Sequence, residues 1–140
     1  MDYDAFADWA AARFGCRCTT VLVYHEAAAE RLYSSDPDIV PARGRKRFDD
    51  APAMARMRAR GETQVFRGEE ELRAMFGGID RLTAIGCLCL VNLPVRDGAG
   101  QLIGQVNLNL PNRALSSGEL RDLAARAQAL SPRLEAAREV

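Results

Sequence analysis

The chain has 140 residues, 48% hydrophobic and 27% charged, values that are ordinary for one folded domain with a single core. Lys plus Arg and Asp plus Glu number 19 each, so the formal net charge is zero and no basic excess points to nucleic acid. No apolar run reaches the length of a membrane-spanning helix, and the acidic N-terminus is unlike a signal peptide. We therefore expect one domain over residues 1–140 in the cytoplasm, with reduced cysteines and with neither nucleic acid nor membrane as partner.

The first part of the chain predicts a helix followed by two strands. Apolar side chains near the N-terminus recur at helical spacing: Phe6, Trp9, Ala10 and Phe14. Gly15 is typical of a residue that ends a helix. The β-branched and aromatic residues of 18–24 predict the first strand, residues 26–30 a turn, and residues 31–34 the second strand.

The middle of the chain alternates an irregular segment with short elements. Residues 36–50 show little periodicity, which predicts an irregular loop of a length that is usually functional or mobile. Pro52 suits the first turn of a short helix that Gly61 ends. A short strand at 63–66 and a short helix at 69–76 follow.

A β-hairpin is predicted from residues 87–95 and 101–110, because the Asp97-Gly98-Ala99-Gly100 sequence between them is typical of a turn. If that four-residue loop closes symmetrically, Arg96 pairs with Gln101. The pairs further along the hairpin are then Cys89 with Leu108, Val91 with Val106, and Leu93 with Gly104.

The two faces of this predicted hairpin differ in polarity, since strand side chains alternate. The apolar face should pack against helices: Cys87, Cys89, Val91, Leu93, Val95, Leu102, Val106, Leu108 and Leu110. The second face mixes aliphatic and amide side chains: Leu88, Leu90, Asn92, Ile103, Gln105, Asn107 and Asn109. Such a face is either an ordinary solvated surface or one wall of a binding pocket.

A final helix is predicted from strong start signals. Ser116 and Glu119 have the spacing of a capping box, and Leu115 and Leu120 that of a hydrophobic staple. Its apolar stripe is Leu120, Leu123, Ala127, Leu130 and Leu134. Pro132 should bend or end this helix.

The residues with reactive side chains have simple structural explanations. Four cysteines could hold zinc or act in redox chemistry: Cys16, Cys18, Cys87 and Cys89. Their spacing differs from a zinc knuckle, and they fit the apolar alternation of strands, so we expect buried packing residues and no metal. His25 is the sole histidine, at a strand end, so a catalytic triad would depend on it alone. We expect no cofactor, because neither a phosphate-binding loop nor a dinucleotide motif occurs.

One dense basic run lies inside the irregular loop: Arg43, Arg45, Lys46 and Arg47. It can be a solvated loop partly neutralised by Asp49 and Asp50. It can also contact a carboxylate or phosphate of a ligand. Nucleic-acid binding is the third reading.

Five stretches resemble the GAF domains, in particular small stand-alone bacterial members: RLYSSDP (31–37), GRK (44–46), IGC (85–87), VNLPV (91–95) and LIGQVNL (102–108). The resemblance implies an α+β fold with a central antiparallel sheet of five or six strands. The N- and C-terminal helices would lie on one face, and loops and short helices over the other. It also implies a non-catalytic sensor of small molecules that forms a homodimer through its terminal helices.

The specialised GAF motifs are absent. Phe48-Asp49-Asp50 is a fragment of the Asn-Lys…Phe-Asp-Glu pattern of the cyclic-nucleotide binders, and no Cys-His pair marks a bilin site. The cysteine-bearing loops of the free methionine-R-sulfoxide reductases are not recognisable either.

The resulting hypothesis is a sensor with an unknown small-molecule ligand and no catalytic residues. The predicted lining is Tyr33, Ser35, Lys46, Asn92, Gln105 and Asn107. The amides would orient the ligand, and Lys46 would meet an anionic group. The alternatives are a thiol-dependent enzyme similar to the sulfoxide reductases and an interaction module that pairs through its end helices.

Overall fold

Six antiparallel strands form one open sheet in the computed structural model, in the order β3-β2-β1-β6-β5-β4. The strands are β1 (Cys18–Tyr24), β2 (Ala28–Ser34), β3 (Arg45–Arg47), β4 (Gln64–Arg67), β5 (Cys87–Arg96) and β6 (Leu102–Pro111). The helices are α1 (Tyr3–Phe14), α2 (Pro52–Arg60), α3 (Glu69–Met75), α4 (Asp80–Ala84), α5 (Ser117–Gln128) and α6 (Ser131–Ala137), with a 3-10 turn at Phe48–Asp50. The structure describes residues 1–138, so the last two residues of the predicted domain lie outside it. Within that range, no helix has the length and apolar character needed to cross a bilayer.

The N- and C-terminal helices cover one face of the sheet, as predicted. Their buried side chains share one core with those of β1, β5 and β6: Phe6, Ala10, Phe14, Leu123, Ala127, Leu130 and Leu134. Asp2 caps α1 by accepting a hydrogen bond from the Ala5 amide, and Gly15 ends the helix in the left-handed conformation at φ 73°. The predicted capping box of Ser116 and Glu119 is present at the start of α5.

The opposite face carries two smaller apolar clusters with polar sheet residues between them. Under α2, Phe48, Met54 and Met57 pack on strand residues of β1 and β2. Under α3 and α4, Leu72 and Ile79 pack on Phe66 and Leu90, together with Ala53. Short helices and loops therefore cover this face, which confirms the predicted α+β arrangement.

The hairpin register is shifted by two residues from the predicted one. Val91 pairs with Leu108, and Leu93 pairs with Val106. The reason is the turn, where the Asp97 carboxylate accepts hydrogen bonds from the Ala99 and Gln101 amides and Gly100 adopts φ 83°. This is a three-residue loop followed by a bulge, not a symmetrical four-residue loop. A two-residue shift preserves side-chain parity, so the cysteine face still packs against the helices.

The bulge beside this turn reverses two predicted side-chain directions. It lies where the pairing passes from Val95 to Arg96. Ile103, expected on the mixed face, belongs to the core under the terminal helices. Leu102, expected in that core, packs against the cluster of Leu22 and Tyr24 on the other face.

Two other predictions need correction, both where a strand depends on pairing with its neighbour. The second strand begins at Ala28 instead of Arg31, because it extends along β1. Part of the predicted irregular loop, Arg45–Arg47, is an edge strand paired with β2. The helix α4 was not predicted. Pro132 lies in the first turn of α6, which is separate from α5. The predicted final helix therefore ends before Pro132, as expected.

Candidate ligand-binding site

A cavity of about 290 Å³ lies on the sheet face opposite the terminal helices. Its floor is formed by polar and apolar side chains of β1, β2, β5 and β6. Its cover comes from the 40–54 segment, from the end of α3 and from α4. Ligand pockets in proteins span roughly 300–1,000 Å³, so this cavity suits a small metabolite.

One part of the cavity is apolar. The side chains that line it come from α2, α3 and its end, α4 and β5: Ala53, Met54, Met75, Phe76, Leu82 and Leu90. The Phe76 ring is held edge-on against the Phe66 ring, with centroids 5.2 Å apart. This wall offers unbranched, adaptable methionine surface to the apolar part of a ligand.

The floor carries a chain of hydrogen-bonded side chains that crosses four strands. Gln64 donates to Asn92 at 3.1 Å, and Asn92 donates to the Oδ1 of Asn107 at 2.7 Å. Gln105 donates to the same Oδ1 at 2.6 Å and accepts the hydroxyl proton of Tyr24. Each side chain is oriented by its neighbours, so the floor is preorganised. Burial also raises the pKa of Tyr24, which keeps this hydroxyl a donor at neutral pH.

Two amide groups on β6 keep hydrogen-bonding capacity toward the cavity. The Oδ1 of Asn107 accepts two bonds, whereas its Nδ2 has no acceptor among residues 1–138. Asn109 donates its Nδ2 to the Cys18 carbonyl at 3.2 Å, and its Oδ1 receives no donor from the described residues. Both residues line the cavity. The floor thus presents one free donor and one free acceptor to a ligand.

The third part of the cavity is positively charged. Arg31, Arg45 and Lys46 line it together with Gly44 and one carboxylate, Asp50. The Nη1 of Arg31 donates to the carbonyl oxygens at positions 41 and 43, at 3.1 and 3.3 Å. Its Nε is buried and has no hydrogen-bond partner among residues 1–138. Burial lowers the pKa of this guanidinium below its ordinary value.

A β-bulge explains why Arg31 faces the cavity. Val21 pairs with Tyr33, but the next residue, Leu22, pairs with Arg31, so Leu32 is the extra residue of β2. In a regular strand, residues 31 and 33 would share a face. The bulge separates them, and such re-aiming of a side chain is a recurrent role of bulges near functional sites.

Four of the six residues predicted to line a pocket do line this cavity: Lys46, Asn92, Gln105 and Asn107. Tyr33 does not, because the bulge turns it toward α1, where its hydroxyl donates to Asp4 at 2.7 Å. Ser35 does not either, because its hydroxyl accepts the Thr19 amide at the end of β1. Arg31 was missed, since nothing in the local pattern announces the bulge.

The four thiols are buried and lie in or beside strands. Burial raises the pKa of Cys16 to about 11, and it raises the pKa of Cys87 and of Cys89. Cys89 belongs to the core under the terminal helices, as predicted. Within residues 1–138, no group of three or more His, Cys, Asp or Glu side chains is placed to hold a metal ion.

Comparison with known proteins gives structural likeness without sequence likeness. No protein-family model and no curated protein matches the sequence. A GAF domain/HD domain protein from Geobacter sulfurreducens is similar in structure, with TM-score 0.71, 15% identity and coverage of 95% of this chain and 91% of that one. The GAF domain of a two-component sensor histidine kinase from Bacillus halodurans gives TM-score 0.75, 8% identity and coverage of 96% and 91%.

An enzyme shares the same architecture. The type II free methionine-R-sulfoxide reductase from Thermoplasma acidophilum gives TM-score 0.75, 10% identity and coverage of 94% of this chain and 89% of that one. At these identities the likeness concerns the fold. The chain has a GAF-like fold, which confirms the resemblance inferred from its sequence.

Proposed function

We propose that this chain is a cytoplasmic, non-catalytic sensory domain that binds a small molecule in the cavity. The observation that carries the proposal is the preorganised floor, where a hydrogen-bonded amide chain leaves the Asn107 Nδ2 free beside an apolar wall. Binding sites combine apolar lining with a few oriented polar groups in this way. Similar structures include the GAF domain of a sensor histidine kinase, which supports a sensory role.

Asn107→Asp is expected to abolish the stabilisation of the folded protein by such a ligand. The substitution keeps the Oδ1 that accepts from Asn92 and Gln105, but replaces the free Nδ2 donor with an acidic oxygen. The matched control is Asn112→Asp, because Asn112 is exposed and accepts from Arg67 through its Oδ1 at 2.8 Å. Asn112 does not line the cavity, so this variant makes the same amide-to-carboxylate change away from the proposed site.

The measurement is a thermal-shift screen of the wild-type protein against a metabolite panel, followed by titration of the variants. A ligand of the folded state at one hundred times its Kd stabilises by about 2.7 kcal/mol. We expect saturable stabilisation that Asn107→Asp removes and Asn112→Asp retains. If the panel leaves the melting temperature unchanged, or if both variants respond like wild type, the cavity is not the binding site.

The non-catalytic assignment is supported by the thiols. A thiol-dependent enzyme needs an accessible thiolate of lowered pKa, whereas Cys16, Cys87 and Cys89 are buried with raised pKa values. The likeness to a sulfoxide reductase makes this the alternative to exclude by experiment.

We also propose a homodimer that forms through the terminal helices. The exposed side of α1 carries small side chains, Ala5, Ala11 and Ala12, that permit close approach of a second helix. Among the described residues Met1 is the one exposed large hydrophobic side chain, so the interface should be modest and the dimer concentration-dependent. Light scattering over a wide concentration range should show dimerisation that Ala12→Arg abolishes and Ala99→Arg, at the exposed hairpin turn, retains. A constant monomer mass would contradict the dimer.

A further inference from the structure

Arg31 has no carboxylate partner among the described residues, unlike the arginines of this protein that form ion pairs. Arg73 pairs with Glu69 and Asp80, and Arg113 pairs with Glu119. The Arg31 guanidinium forms no ion pair within the described residues and holds its place through the two loop carbonyls that its Nη1 contacts. It is thus an oriented cation without an ion-pair partner in the described part of the chain.

The geometry of this side chain leaves hydrogen-bonding capacity unused. Both hydrogen bonds of this side chain come from Nη1, so the Nε–H and the Nη2 group have no acceptor among residues 1–138, and the Nε is buried. A buried donor without a partner is costly, and a guanidinium presents its free donors in a fork that matches a carboxylate or phosphate. Anchoring the loop needs only the Nη1 group, so it does not account for the remaining donors.

The surroundings of Arg31 favour an anion as well. Lys46 and Arg45 lie on the adjacent strand β3, and Gly44, which accepts the Arg31 amide proton, has no side chain to fill the space. A Cβ at Gly44 would lie 3.6 Å from the Arg31 Nη1. The cavity lining then holds three cations and one carboxylate, Asp50, and of the three cations Arg45 is also paired with Glu30 at 3.6 Å.

We propose that Arg31 anchors an oxyanion, a carboxylate or a phosphate, of a small organic ligand whose apolar body lies against the Met54, Phe76 and Leu90 wall. This inference rests on the proposed function, since it names the ligand class of the same cavity. Leu22 of β1 pairs with Arg31 on one side and with Gln105 on the other. The amide side chains of β6 therefore lie two strands away from Arg31. That separation is about 10 Å at the backbone, which a molecule of metabolite size can span.

The test is an NMR titration of the ¹H–¹⁵N spectrum with three probes: hexanoate, its uncharged analogue hexanamide, and phenyl phosphate. We expect at least one of the two anions to bind saturably and to shift the Gly44 amide and the Asn107 side-chain amide. Hexanamide should bind at least about tenfold more weakly than hexanoate if the carboxylate is the preferred group, because a charge-assisted bidentate contact is lost. The ratio of the two anion affinities decides between carboxylate and phosphate.

Variants assign the effect to Arg31. Arg31→Gln should raise the Kd of the preferred anion at least about tenfold, and Arg31→Lys should raise it less, because lysine retains the charge without the fork. The matched control is Arg60→Gln, which removes one exposed charge outside the cavity lining. It should leave the Kd within about twofold, since an exposed charge is screened. If Arg31→Gln does not fold, Arg31→Lys and the comparison of charged with neutral probes on wild-type protein still decide the question.

The outcomes separate this inference from the proposed function. Anion binding that Arg31→Gln leaves unchanged, or neutral probes that bind as tightly as anions, would overturn the Arg31 anchor and leave the cavity as a ligand site. Failure of both anions to bind wild-type protein would also overturn the anchor. A metabolite screen whose hits are all neutral would do the same. The proposed function itself is overturned by a screen without any hit, or by hits to which Asn107→Asp responds like wild type.

Discussion

Gly104→Ala is expected to destabilise the protein by about 3 kcal/mol, at the upper end of overpacking effects. Gly104 lies in β6 between β1 and β5, where its φ angle is ordinary, so the reason is space and not backbone conformation. A Cβ there would overlap the carbonyl oxygen of Leu22 and the side chain of Leu134. The Leu22 oxygen belongs to the neighbouring strand's backbone and cannot move away without disturbing the pairing of β1 with β6.

Urea unfolding followed by far-UV circular dichroism measures this loss. The control is Gly118→Ala on α5, where the nearest atoms to a new Cβ are 3.8 and 3.9 Å away. Alanine is the better helix former, so this variant should be as stable as wild type or more stable by up to about 1 kcal/mol. A Gly104→Ala protein within about 0.5 kcal/mol of wild type would show that β1 and β6 are not packed as described.

The second large effect is on thiol reactivity. We expect the thiols of the native protein at pH 7 to react at least about a hundredfold more slowly than an exposed cysteine. A thiol with pKa about 11, such as Cys16, has roughly 300-fold less thiolate at neutral pH than one of pKa about 8.5. Cys18 is fully buried, and Cys87 and Cys89 are 3% and 1% exposed, so access is limited as well.

Labelling with a chromogenic disulfide reagent tests this expectation. The positive control is Ala99→Cys, at the exposed hairpin turn, which should add one promptly reacting thiol. All four native thiols should react promptly only after unfolding in guanidinium. Their slow native rate should rise with pH, because a thiol of raised pKa forms its thiolate only at higher pH. One native thiol that reacts as fast as the Ala99→Cys thiol would favour the thiol-enzyme alternative over the sensor.

The candidate site could be predicted in part. Asn92, Gln105 and Asn107 follow from the alternation of the hairpin, which survives the two-residue register error because parity is unchanged. Lys46 was predicted from its basic run, although it lies on an edge strand instead of in an irregular loop. These residues belong to patterns that extend over several positions, the alternation of the hairpin and the basic run. An error in the predicted register or element type therefore leaves them on the predicted face.

The remainder of the site depends on irregularities of pairing. The bulge at Leu32 moves Tyr33 to the α1 side and Arg31 to the cavity, and the bulge beside the 97–101 turn exchanges the directions of Leu102 and Ile103. A bulge inserts one residue into a strand whose composition looks regular. The position of a bulge along the strand depends on which pairing with the partner strand, and which contacts with a helix, best bury each side chain.

The sequence by itself determined the elements and the polarity of their faces: the capped terminal helices, the central hairpin and the burial of its cysteine face. These features depend on local propensity, capping and periodicity, which act over a few residues. Only the tertiary structure decided the two bulges, the edge strand β3 and the position of the Arg31 charge in the cavity. Each of these arises from contacts between segments distant in the chain, whose free energies exist only once the sheet has assembled.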